Sequence, residues 1–174
     1  MDYAAVLYFD NTSERIIQDY ITLAAQLTDN RYMLDHSIPP HITVAGFDTN
    51  ASTPVMNALA SISRRLSAGA IQFESVASFE LKVIYIKPAS NDYLLDIASQ
   101  VRNQLSGIVK MDPLYMPPMW VPHAALAVQL SQNAYNAAMP NITQRFTPFS
   151  GQAERLALVR CNPYLGMDIW RLRG

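Results

Sequence analysis

Three histidines occur in the 174 residues, and two of them sit in matching contexts, Pro40-His41-Ile42-Thr43-Val44 and Pro122-His123-Ala124-Ala125-Leu126. In each, a proline closes a loop and the histidine opens a strand-like segment. Residues i and i+2 of a strand share a face. His41 therefore looks the same way as Thr43, and His123 the same way as Ala125. Imidazole titrates near neutrality, so one ring can accept a proton while a second donates one. Hydrolysis of a phosphodiester needs both transfers, one at the attacking water and one at the leaving oxygen. A hydroxyl beside the pair can donate to non-bridging phosphate oxygens as charge builds there. The scheme calls for no metal and no cofactor.

The elements that must position these rings are read from periodicity. Ala4–Phe9 is a short apolar run that reads as a buried strand. Thr12 or Ser13 then caps a helix whose Ile16, Ile17, Tyr20, Ile21, Ala24 and Leu27 fall on one face, ending near Asp29-Asn30. A loop runs from Arg31 to Pro40, and His41–Ala45 is the next strand. Thr53 caps a second helix with Pro54 at its first position, followed by a strand over Ile71–Leu81. The order then repeats. Val83–Ile86 is a strand ending at Lys87-Pro88, and Asn91 or Asp92 caps a helix with Gly107 past its end. A Met/Pro/aromatic loop spans Lys110–Pro122, and His123–Ala127 is a strand. Ser131 caps a helix that Pro140 should kink or break. Strands over Arg155–Arg160 and Met167–Leu172 close the chain.

The chain thus reads β-α-β-α-β twice. An offset of about 78 residues lays Val6–Phe9 on Ile84–Lys87, and one of 82 lays His41 on His123. This is a duplication rather than a solenoid. The expectation is an α+β fold: one domain over 1–174, with two antiparallel-sheet lobes (about 1–82 and 83–174) related by a pseudo-two-fold axis. Helices lie outside, and the histidines face each other across a central cleft.

Two His-x-Thr/Ser-type motifs about eighty residues apart, each on a strand of a duplicated lobe, resemble the signature of the two-histidine (2H) phosphoesterase superfamily. That group includes the bacterial 2′-5′ RNA ligase-like (LigT-like) proteins and RNA 2′,3′-cyclic phosphodiesterases. Tyr115–His123 is similar to the approach to the second motif in a bacterial branch of it. The resemblance covers nearly the whole chain. It implies metal-independent opening of a 2′,3′-cyclic or related phosphodiester on a nucleotide or RNA end, with His41 and His123 as acid and base and Thr43 as phosphate ligand. Position 125 departs from the pattern: it is alanine where the family has a hydroxyl. A catalytically impaired nucleotide- or RNA-end-binding protein is the alternative that Ala125 favours. A structural protein with an empty cleft is a third.

Other residues carry two readings each. Trp120 and Tyr115 can stack on a base or pack their loop on the lobe. Phe47 is ambiguous in the same way, with core favoured. Lys87 shares a face with Tyr85 and Val83 and either reaches a phosphate or ends the strand in solvent. His36 reads as a surface histidine and Arg64-Arg65 as a solvated pair. Cys161 has no cysteine partner and reads as a strand thiol.

Composition bounds the partners. Half the residues are hydrophobic, 16% are charged and the net charge is −1. A protein that grips long nucleic acid is usually basic, so a small anionic ligand or an RNA terminus is expected instead. Asp2 stands where a secretion signal would be basic, and no apolar run reaches membrane-spanning length. A cytoplasmic protein is expected.

Overall fold

A computed structural model describes residues 1–174 in full. The first half runs β1 (Tyr3–Phe9), α1 (Asn11–Thr28), the short α2 (Tyr32–Asp35), β2 (Ile42–Asp48), α3 (Ser52–Ser63) and β3 (Gly69–Phe79). The second runs β4 (Val83–Pro88), α4 (Asp92–Leu105), the two-residue β5 (Lys110–Met111), β6 (Ala124–Ala127), α5 (Gln132–Arg145), β7 (Phe149–Cys161) and β8 (Tyr164–Arg171). The doubled β-α-β-α-β order is present, with β5 and β8 added to it. No helix is long and apolar enough to cross a membrane.

Helix starts follow the strongest available acceptor. α1 is capped by Asp10, not by Thr12 or Ser13; its Oδ1 accepts from both of their amides at 3.0 Å. The same carboxylate takes the Ser13 hydroxyl and the Gln152 amide of β7, at 2.6 and 2.8 Å. A hydroxyl could not carry those four bonds at once. α3 starts one residue before Thr53, at Ser52, with no side-chain cap. Pro54 still falls in the first turn, where its missing N–H costs nothing. Asn91 and Ser131 cap α4 and α5. The break expected at Pro140 is absent, and α5 runs on to Arg145.

Every strand joins one antiparallel sheet, in the order β5-β2-β1-β7-β3-β4-β6, with β8 paired to β7. This corrects the boundary expected near residue 82. The central strand of each lobe, β1 or β4, is flanked by a strand from its own half and reached on the other side through an exchange. β7 of the second half pairs with β1, while β3 of the first half pairs with β4. The two exchanged strands then pair with each other over Gly69–Phe73 and Phe149–Ala153. The helices follow, α1 packing on β6 and α5, and α4 on β2 and α3. One apolar cluster consequently draws on both halves, from Leu7, Ile42 and Leu59 to Ile86, Val101 and Leu158.

A smaller cluster of Ala4, Val6, Tyr8, Ala157 and Val159 lines the opposite face of the sheet in the first lobe. This face carries the candidate site.

Candidate functional site

Each histidine is the residue just before an outer strand, β2 or β6, and the two strands enter with the same local geometry. In the first lobe Ala5 pairs with Ala45 and Val6 with Thr43, so Val44 is a bulge residue. In the second, Ile84 pairs with Ala127 and Tyr85 with Ala125, so Leu126 is the bulge. Bulges re-aim side chains next to functional positions. These two sit at equivalent places, one residue beyond Thr43 and Ala125.

The imidazoles are held identically. His41 Nδ1 lies 2.7 Å from the Pro39 carbonyl, and His123 Nδ1 lies 2.8 Å from the Val121 carbonyl. A carbonyl only accepts, so each Nδ1 carries its proton and each neutral ring keeps a free lone pair on Nε2. Both rings are half-buried. Burial pulls both pKa values below the ordinary histidine range; the carbonyl contacts oppose this, and for His41 the charge of nearby His123 adds to the lowering.

Aromatic side chains wall both rings. The ring centroid of Tyr164, at the start of β8, is 6.2 Å from that of His41. Phe79 meets His123 edge-on at 4.9 Å, and Tyr85 lies at 5.3 Å from His123 and stacks on Phe79 at 4.3 Å. A cavity of about 580 Å³ opens beside His123, lined by Phe79, Tyr115, Met119, Trp120, Ala125 and Val128 among others. A second hollow of about 500 Å³ lies on the His41 side, among Tyr8, Glu14, His36, Arg155 and Tyr164.

Thr43 is 8% exposed, and the aromatic loop fixes its position. Trp120 Nε1 donates to the Thr43 carbonyl at 3.0 Å. Burial pushes the Tyr115 phenol up to about 12. Gly46 makes room for Tyr115, because a Cβ there would stand 2.5 Å from its ring. Behind the loop, the buried Arg102 guanidinium donates to the carbonyls of Val44 and Tyr115 and lies 4.9 Å from the Trp120 ring. Tyr115 and Trp120 therefore both pack their loop and line the cavity.

The remaining expected contacts separate. Phe47 is fully buried and stacks on Tyr3, so it belongs to the core and faces no ligand. Lys87 pairs with Glu74 at 3.4 Å near the surface and does not line the His123 cavity. His36 is exposed and stacks on Tyr32. Arg64 and Arg65 are exposed. Cys161 is a strand thiol that burial pushes up to about 11. Nowhere do three or more His, Cys, Asp or Glu side chains gather as metal donors would.

Residues 13–163 match the family model of the 2′-5′ RNA ligase superfamily. The chain belongs to that superfamily. The two-histidine family read from the motifs is the one found. No curated protein matches the sequence. Among solved structures, a Thermus thermophilus protein, TT0787, superposes with a TM-score of 0.68 at 18% identity, covering 100% of this chain and 99% of its own. Escherichia coli LigT complexed with 3′-AMP gives 0.67 at 14%, covering 99% and 98%. Kluyveromyces marxianus Usb1 gives 0.53 at 9%, covering 99% and 97%. At these identities the superfamily fold is what is shared, whole chain to whole chain.

Sequence reasoning passed over Tyr85, Tyr164, Tyr8 and Arg102. Strand parity could have found Tyr85, because the notional partner of His123-x-Ala125 on the neighbouring strand must share its face.

Proposed function

We propose that this superfamily member hydrolyses a 2′,3′-cyclic, or related cyclic, phosphodiester of a nucleotide or RNA end, with His41 and His123 as the acid–base pair. The observation that carries the reading is the matched pair of imidazoles, each with Nδ1 bound to the carbonyl two residues back and Nε2 left free. One Nε2 takes a proton from water as its oxygen attacks phosphorus. The other, protonated, gives a proton to the leaving ribose oxygen. Thr43 donates its hydroxyl to a non-bridging oxygen as negative charge builds. The scheme routes no step through a metal. The apolar, aromatic cavity beside His123 suits a nucleobase. The modest net charge suits a small anionic substrate rather than a long polyanion. Escherichia coli LigT, which shares the fold, has been solved with 3′-AMP, ATP, NADP+ and phosphate, all small phosphate compounds.

The test is turnover of 2′,3′-cyclic nucleotides and cyclic-phosphate-ended RNA by the wild type, His41→Ala and His123→Ala. Each single substitution is expected to lower kcat by about 10²–10⁴, the usual worth of a positioned acid or base. Activity indifferent to both changes overturns the mechanism. Ala125 favours a second reading, a nucleotide-binding protein that has lost turnover; measurable nucleotide affinity with no wild-type hydrolysis would establish it.

A further inference from the structure

The equivalence of the two lobes, read from strand pairing, gives the alanine at position 125 a different meaning. Thr43 pairs across the sheet with Val6, and Ala125 pairs with Tyr85. Val6 and Tyr85 are therefore equivalent floor positions, each opposite the second residue of its motif. One lobe has a hydroxyl on the outer strand and an apolar residue beside it. The other has an alanine on the outer strand and a hydroxyl-bearing residue beside it.

Tyr85 is 5% exposed and lies against His123 rather than within the main apolar cluster. Its neighbours along β4, Ile84 and Ile86, enter the main apolar cluster, but Tyr85 does not. Its ring stacks on Phe79 at 4.3 Å and meets His123 at 5.3 Å, and those two rings also touch each other. Buried tyrosine hydroxyls normally find a partner, as Tyr8 and Tyr164 do with each other at 2.8 Å. The Tyr85 hydroxyl has none: burial alone perturbs it, with no protein hydrogen bond acting on it. Nor is it among the sealed-off polar atoms of the fold, where Arg160 Nε stands unpartnered. A hydroxyl without a protein partner, on a ring that touches a candidate acid–base imidazole and pairs across the sheet with Ala125, is a donor open to an external acceptor.

We infer that Tyr85 supplies from β4 the phosphate-binding hydroxyl that Ala125 does not supply from β6, so that each lobe still presents one hydroxyl to the phosphate, Thr43 and Tyr85. The inference rests on the phosphoesterase reading for its kinetic test but not for its binding test. A tyrosine at 85 reaches farther than a threonine at 125 would, and an alanine opposite leaves room for the ring. On this view the second motif is relocated rather than lost.

The experiment is a cycle of Tyr85→Phe, Ala125→Thr and the double variant, with melting curves to confirm folding. Tyr85→Phe removes only an unbonded hydroxyl and keeps the ring against Phe79 and His123. Turnover of 2′,3′-cyclic nucleotides is expected to fall by about 10²–10³ in Tyr85→Phe, mostly in kcat. It should recover at least about tenfold in the double variant, a rescue that a merely structural ring would not show. Binding of inorganic phosphate, followed by ³¹P line broadening, should weaken in Tyr85→Phe and return in the double variant. A Tyr85→Phe variant that matches the wild type in both turnover and phosphate binding overturns the assignment. Wild-type protein that turns over nothing, yet loses phosphate binding in Tyr85→Phe, keeps Tyr85 as the ligand and removes the hydrolase reading instead.

Discussion

Replacing Arg102 with methionine tests what holds the aromatic loop, and so the second histidine, against the first motif. Arg102 is a lone cation inside the fold, 7% exposed, donating to the Val44 carbonyl at 3.3 Å and the Tyr115 carbonyl at 3.2 Å. No carboxylate pairs with it, and burial lowers its pKa. Methionine keeps the stem and removes the fork. Each carbonyl left without its charged donor costs about 1–3 kcal/mol, and the stacking on Trp120 adds roughly 0.5–2 kcal/mol. Relief from burying an unpaired guanidinium offsets part of that sum. The net loss is about 2–4 kcal/mol, or roughly 5–12 °C in Tm for a chain of this length. Calorimetry or dye-monitored melting reads it directly. Arg102→Lys should lose most of the same stability, since an ammonium cannot bridge two carbonyls while lying flat on an indole. Below the melting point both variants should also turn over slowly, because Trp120 Nε1 then no longer pins the Thr43 carbonyl. A methionine variant within about 2 °C of wild type, with unchanged kcat, refutes this account of the loop.

Four further expectations follow from the same structure. Both candidate histidines titrate below the ordinary value of about 6.5, so the pH–rate profile of kcat/KM should peak on the acid side of that value. A peak above about pH 7 would contradict it. The same shifts affect stability. The unfolded chain takes up protons near pH 6.5 that the folded rings refuse, so Tm should fall as pH drops below about 6.5. The His41→Asn/His123→Asn double variant should flatten that fall; an unchanged slope argues against buried neutral rings. Asp10→Ala removes the cap of α1 and its tie to β7 and should cost about 1–3 kcal/mol, read as a melting shift. Cys161, its thiol pushed up to about 11 by burial, should resist a disulfide reagent at neutral pH in the native protein and react once urea unfolds it. Rapid labelling of the folded chain would show the strand open.

Local chemistry was legible where neighbours in sequence decide the outcome. The apolar run of β1, the caps at Asn91 and Ser131, and the matching Pro-His entries to β2 and β6 all depend on a few adjacent residues. The exchange of β3 and β7 between lobes was not, because pairing partners are chosen across the whole chain and leave no mark on local periodicity. Arg102 was passed over for a related reason. It follows Val101 on α4, and nothing in the adjacent residues marks it as buried. It is buried because that end of α4 docks on β2 and is covered by the loop ending at Trp120.

Tyr85 was missed through a single residue of register. The offset of 78 equates Val6 with Ile84 and turns Tyr85 into the counterpart of Leu7, a core residue. Strand pairing gives 79 instead, since Val6 faces Thr43 and Tyr85 faces Ala125. In a strand, a slip of one residue exchanges the two faces of the sheet, so the choice of offset decides whether Tyr85 belongs to the core or to the cleft. A motif such as His-x-Thr is read along one strand and records only what that strand presents. The site it describes is a patch of sheet, built equally from the strand alongside. Phosphate needs a donor at a point in space, not at a position in a motif, and a neighbouring strand can furnish that point while the motif itself appears broken.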